Sequence, residues 1–387
     1  MRYTLVLSTL FPLFFSVTFA VDPRYCQDKT TLDGKDFTLE EIDNPYLPTL
    51  AKYFDSKGKI TSVTAVLQSA NRDLVKRSPP LSNGDGPPAE SWAWNSGDDK
   101  TTDWIPQGIT SSADAFGKGT WNDYEVWIVS WYRSGDSVRV SFIDRKTNKY
   151  RHVMLVYPTA DDDFESIRIH AGGIAWYGNV LYVVDTHKGI RAFDLNNIWE
   201  VDIADGVGKT ADGKGYSADE YRYVLPQMRS YNWVAGDASP FRFSWISLDR
   251  SDTPDTLMVG EFVRDGETFD DADKTPVPIR YVKYNLDADT RRLQTENGIA
   301  SSSWASCVNI PNVQGAVSYE GKFYISRSTG RAPKKGDLFI WEEGKTATEQ
   351  TGWFSAGNED MSYNLVRKEY YTVTEYEQDR HILAYKV

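Results

Sequence analysis

The sequence predicts an all-β fold, a β-propeller with five blades closed by a strand from its N-terminal arm. Three observations carry that reading. Five strand-like runs align: "VWIVSWY" from Val126, "LYVVDTH" from Leu181, "LMVGEFV" from Leu257, "FYISRST" from Phe323 and "YTVTEYE" from Tyr371. Each has a short apolar run before it and another after it, in constant order. The last unit lacks a fourth strand, a gap that a strand from upstream would fill. Short strands rich in β-branched and aromatic residues, repeated with turns between them, are how a propeller blade reads in sequence.

The elements follow in order. The leading runs are "PQGIT", "HAGGIAWYG", "FSWISLDR", "VQGAVSYEG" and "EDMSYNLV". The trailing runs are "SVRVSFIDR", "GIRAFDL", "PIRYVKYNL", "DLFIWEE" and "HILAYKV". Fourth strands are legible in the first two units as "KYRHVMLVYP" and "EYRYVLPQ". The mean repeat is about 61 residues, long for a blade because of loop insertions. A closing strand is expected within residues 60–104, since ring closure leaves no long exposed sheet edge. The irregular arm before Trp104 leaves six or seven blades open. A β-sandwich with insertions is the alternative fold, but it gives no reason for the same columns to recur five times.

Residues 1–20, "MRYTLVLSTLFPLFFSVTFA", read as a secretory signal: Arg2, an apolar stretch, then Thr18 and Ala20 near a cleavage point. Residues 21–103 form the arm and 104–387 the propeller. No later stretch approaches the roughly 20 apolar residues of a spanning helix. We therefore expect a secreted, extracellular protein with no membrane partner. Cys26 and Cys307 are expected to bridge in an oxidising compartment. The net charge of -12 argues against nucleic acid, and no N-x-[ST] sequon occurs.

Blade geometry selects the candidate site. The start of each first strand and the end of each second strand should meet at one mouth. First-strand starts hold Gln107, His170, Arg242, Gln314 and Glu359 with Asp360; second-strand ends hold Ser130, Asp185, Glu261, Arg327 and Glu375, with Tyr132 and His187 just beyond. Buried polar groups must be paired, so charged residues in equivalent places imply a hydrated funnel. The competing reading is a polar channel filled with water and without chemistry. His170 is a candidate acid or base. Its two following glycines permit close approach of backbone or ligand. Asp185 two residues before His187 would orient that ring. His152 and His381 read as ordinary strand residues.

Aromatics make up 14% of the chain, with 13 Trp and 23 Tyr. They serve either strands or a surface that stacks sugar rings. Basic residues in the mouth loops point to an anionic ligand such as a uronic acid. No P-loop, dinucleotide fingerprint, H-E-x-x-H or G-x-S-x-G occurs, so neither a cofactor nor a metal is expected. The segment from Asp202 to Glu220 lacks a full calcium-loop pattern and reads as a polar insertion.

The expected partner is a poly- or oligosaccharide, anionic in character, bound by a monomer. Three chemistries fit. A lyase would use His170 as base or acid, Arg242 or Arg327 to neutralise a uronate carboxylate, and Tyr132 or Tyr231 to assist. A glycoside hydrolase would pair carboxylates from Asp185, Glu261 and Glu375. A binding propeller would use the funnel for recognition alone.

The segments "IPQGIT", "IHAGGIAWYGNVLYVVDTHKGIRAFDL", "YVLPQMRSY" and "SWISLDRSDTPDTLMVGEF", within residues 104–285, resemble secreted β-propeller proteins of filamentous fungi and actinobacteria. Among these, the sequence is similar to fungal lyases that release rhamnose from rhamnosyl-glucuronate side chains. That resemblance implies a uronate substrate and a histidine-dependent elimination, with His170 and its "HAGG" context as the transferable part. It also implies seven blades, against the five counted.

Overall fold

In a computed structural model that describes residues 31–79, 87–234, 240–269 and 276–386, every leading, central and trailing run forms a strand. Blade one is Trp104–Ser111, Val126–Arg133, Ser137–Asp144 and Lys149–Ala160. Blade two is Ile174–Tyr177, Val180–Asp185, Gly189–Asp194 and Tyr223–Val234. Blade three is Trp245–Asp249, Thr256–Gly260, Arg280–Asn285 and Trp304–Cys307. Blade four is Val313–Tyr319, Lys322–Arg327, Gly336–Glu342 and Thr348–Phe354. Blade five is Asn358–Asn364, Glu369–Thr374 and His381–Lys386, completed by Glu90–Ala93 from the arm. Within each blade the four strands pair antiparallel in that order.

The protein is thus a five-bladed β-propeller closed by an N-terminal strand. Each first strand packs beside that of the next blade, and blade five's returns to blade one's. Ring closure by Glu90–Ala93 covers the edge of His381–Lys386, pairing Ala93 with His381 and Glu90 with Ala384. The seven blades implied by the resemblance are not what this chain builds.

Blades one and two are joined more tightly than the others. Tyr223–Val234 runs parallel to Lys149–Ala160 at Val224–Pro226, merging the two sheets. It also carries Thr38–Asp43 on its other edge. The aromatic surplus goes mainly inside: Trp94, Trp127, Trp131, Trp176 and Trp245 are fully buried within the blades' core, and Trp199 is buried against the arm helix Leu47–Ser56. Burying rings of this size stabilises the sheet-on-sheet contacts by about 1.5–3 kcal/mol each.

Where five first strands converge, side chains give way to backbone. A Cβ on Gly173 would lie 2.5 Å from the Ile246 amide, and one on Gly315 2.6 Å from that of Met361. The glycine after Gly172 therefore serves backbone approach between blades. Asp360 sits at this pinch, fully buried. Its Oδ2 accepts the amides of Ile109 at 3.3 Å and Ile174 at 3.1 Å, from blades one and two. The amides of Ile246 and Met361 also face the carboxyl. Asp360 thus floors the funnel above it.

The expected signal segment and Cys26 lie outside the described residues. Cys307 is buried at the end of blade three's outer strand. Among the described residues no helix is long and apolar enough to cross a membrane.

Candidate functional site

Above Asp360 opens a cavity of about 890 Å³, and all five blades contribute to it: Gln107, His170 with His187, Arg242 with Phe262, Gln314, and Glu359 with Glu375. Seven of the expected positions, Glu359 among them, therefore share one cavity. Tyr132 joins them through His170, its ring centroid 4.5 Å from the imidazole at 45°. Burial and the nearby Glu375 and Glu359 charges push the Tyr132 phenol above its usual range. Desolvation holds the His170 imidazole below its usual value, so it is neutral near pH 7.

Of the remaining expected residues, Asp185, Glu261 and Arg327 stay out of the funnel for one shared reason. Each stands at the end of a second strand, and a charge of opposite sign on the third strand, directly across or two residues along, pairs with it. Asp185 accepts Arg191 at 3.0 and 2.7 Å. Glu261, opposite Arg280, accepts its guanidinium at 2.7 and 2.6 Å and also its amide at 3.0 Å. Arg327, opposite Asp337, donates to it at 2.9 and 2.7 Å. These pairs form a layer outside the funnel, so Asp185 and Glu261 are not free carboxylates and Arg327 is not a free cation. Tyr231 lies in the core, its hydroxyl 3.0 Å from Glu41 Oε1. Ser130 is a strap: its Oγ accepts the Gly108 amide and donates to the Ala171 carbonyl.

Glu375 breaks the pattern. The Arg380 guanidinium turns to the carbonyls of Asp98, Thr101 and Glu375 itself. The Glu375 carboxyl instead takes hydrogen bonds from Tyr376 and Gln107. Burial raises its pKa above the usual carboxylate value, with these hydrogen bonds and Arg331 opposing. Beside it Glu359 is 2% exposed and accepts Gln314 Nε2 at 3.0 Å. Burial, then the Glu375 and Asp360 charges, push Glu359 well above the carboxylate range. No ion pair neutralises either glutamate among the described residues.

Sequence reasoning placed Glu359 at the mouth but gave it no chemical role, and it did not single out Tyr376. The signal for Glu359 was available: it occupies the first-strand column. Tyr376 lies one residue beyond the second-strand column, with Arg331 4.5 Å over its ring. At the mouth, Arg242 pairs with Glu267 at 2.7 Å.

One further constellation has catalytic residue types but no access. His152 Nδ1 lies 2.9 Å from Ser141 Oγ, and its Nε2 3.1 Å from Asp98 Oδ2. Ser141 is fully buried and accepts the Trp131 indole N–H at 2.8 Å. It binds the arm to blade one and cannot meet a substrate.

No family model and no curated protein matches the chain. Among solved structures it is similar to hydrazine synthase of Kuenenia stuttgartiensis, at 11% identity and a TM-score of 0.34, covering 74% of this chain and 88% of that one. It is similar to the Cps50 (Swd1) β-propeller domain of Myceliophteria thermophila, at 10% and 0.34, covering 74% and 98%. It is also similar to a GH43_1 enzyme from Xanthomonas citri, at 10% and 0.35, covering 84% and 92%. Likeness this distant carries no chemistry to this chain.

Proposed function

We propose that this chain is an extracellular carbohydrate-active enzyme that hydrolyses a glycosidic bond in the funnel, with Glu359 and Glu375 as its working carboxyl groups. The carrying observation is that these two glutamates stand in the funnel without an ion-pair partner among the described residues, and that the Glu375 charge raises the proton affinity of Glu359. A pair of carboxyls with unequal environments is how acid and base roles are divided. Glu359, the more buried, stays protonated and donates its proton to the glycosidic oxygen as the C1–O bond breaks. Glu375, reached by solvent, takes a proton from the water that attacks C1. One water is consumed and two hydroxyls result. Gln107 and Gln314 orient the glutamates, and the Tyr132, Phe262 and Tyr376 rings offer apolar faces to the sugar.

A second reading rests on the Tyr132–His170 contact. A neutral imidazole against a neutral phenol fits β-elimination from a uronate, with His170 taking the proton beside the carboxylate and Tyr132 protonating the leaving oxygen. One experiment separates the two. Purified protein is incubated with uronate-containing and neutral polysaccharides while absorbance near 235 nm and reducing ends are followed. Hydrolysis gives reducing ends alone; elimination gives both; silence across the panel would count against both chemistries.

A further inference from the structure

Beside the funnel lies a second cavity of about 350 Å³, on the same face and between the outer strands of blades one and two. The two cavities share walls. The segment leading to blade two places Arg168 in the outer cavity and His170 in the funnel. The turn after Asp185 places His187 in the funnel and Lys188 in the outer cavity. His187 and Lys188 are neighbours in sequence, their Cα atoms about 3.8 Å apart, so one stretch of backbone contributes to the walls of both cavities.

The charges of the outer cavity are unevenly spent. Arg191 is held by Asp185 and by Gln227 Oε1 at 2.7 Å. Arg168 and Lys188 are exposed and have no ion-pair partner among the described residues, and Glu165 is the one unpaired carboxylate on the wall. Two free cations facing one free carboxylate leave an excess of positive charge, against the net -12 of the whole chain. In the funnel the balance is the reverse, since Arg242 and Arg264 face the carboxylates of Asp265, Glu267 and Glu375.

We propose that the outer cavity is a second subsite, which takes an acidic sugar unit adjoining the unit held in the funnel. The substrate class is then an oligo- or polysaccharide carrying carboxylates, read at Arg168 and Lys188 and cleaved beside them. This rests on the reading of the funnel as a glycan site. It also explains how an acidic chain is accepted by a mouth that holds two carboxyl groups: the cations that recognise it lie next to the cleavage site.

The test uses oligogalacturonates and oligoglucuronates of two and five units, with their carboxyl-reduced counterparts, in calorimetric titration of the full chain. The wild type should bind the acidic pentamers at least about tenfold more tightly than the reduced ones, since charge-assisted hydrogen bonds are lost on reduction. Arg168→Ala/Lys188→Ala should erase that difference, for dimers as well as pentamers because a dimer already reaches from the funnel into the outer cavity, and Arg168→Glu should reverse it. Both residues are exposed, so the variants are expected to fold, which a thermal melt verifies. Equal binding of acidic and reduced chains, an undisturbed double variant, or no binding of any acidic chain would overturn the proposal. Preferential acidic binding without any turnover would uphold this subsite and sink the catalytic reading instead.

Discussion

The Tyr132 phenol leans on the His170 imidazole, centroids 4.5 Å apart, although the two residues come from the second strand of blade one and the segment leading into blade two. Tyr132 also packs against the core of blades one and two, so its ring is a fixed surface against which the His170 imidazole is held at the funnel wall. If hydrolysis by the glutamate pair is the chemistry, His170 shapes the sugar site. His170→Ala should then raise KM with kcat changed only a few-fold and an unaltered thermal midpoint. A kcat loss on the order of 10²–10⁴ would move the reaction to the His170–Tyr132 pair.

Glu359 titrates under the influence of Glu375, which predicts a directional shift. The Glu375 charge raises the Glu359 pKa, so removing it must lower that pKa. In Glu375→Gln, the carboxyl of ¹³C-labelled Glu359 should deprotonate at a lower pH than in wild type, as followed by NMR. Turnover should fall on the order of 10²–10⁴ at the wild-type optimum through loss of the base. An unmoved Glu359 titration would mean that the two carboxyls do not communicate.

The strand order and blade count were legible because backbone periodicity is local: apolar runs bounded by turns survive any arrangement of side chains. The mouth was half legible. First-strand positions faced the funnel as expected, bringing in Gln107, His170, Gln314 and Glu359. Second-strand ends misled because sequence does not show which charge lies across the next turn. Arg191, Arg280 and Asp337 stand on third strands, separated from their partners by up to nineteen residues of sequence, as for Glu261 and Arg280. Glu375 escaped this pairing only through the tertiary placement of Arg380 against the arm.

Asp98 ties the arm to blade one, and its removal should be costly. It accepts the Tyr150 hydroxyl at 2.6 Å, Arg139 at 2.8 Å and His152 Nε2 at 3.1 Å. His152 and Arg139 hold its carboxyl well below the usual range, against the desolvation that would raise it. A carboxylate lowered in the folded state contributes stability above its unfolded pKa of 3.8, and that contribution fades as pH falls below it. Asp98→Ala should cost about 3–5 kcal/mol at pH 7, as for other broken buried pairs. The difference from wild type should shrink as pH drops below about 4, measured by denaturant unfolding at each pH. A deficit that stayed constant down to pH 2 would remove the electrostatic account.

Asp114 makes the opposite prediction, and the contrast tests the linkage argument itself. It is buried beneath blades one and five, accepting Thr110 Oγ1 at 2.7 Å and Ser362 Oγ at 2.8 Å. Desolvation, only partly offset by these hydroxyls and Arg250, raises its pKa from 3.8 to about 6. Between those values the folded state binds the extra proton, so stability due to this group falls as pH rises. Above about pH 7 the full penalty applies, about 3 kcal/mol for a shift of this size. Asp114→Asn cannot titrate, and its amide still meets both hydroxyls. Groups common to both proteins cancel in the difference between them. Relative to wild type, the variant should therefore gain about 2–2.5 kcal/mol between pH 4 and pH 7, in denaturant titrations taken across that window. A flat difference would show that Asp114 keeps an ordinary pKa in the fold, and a negative slope would mean that its charge stabilises the contact between the two blades.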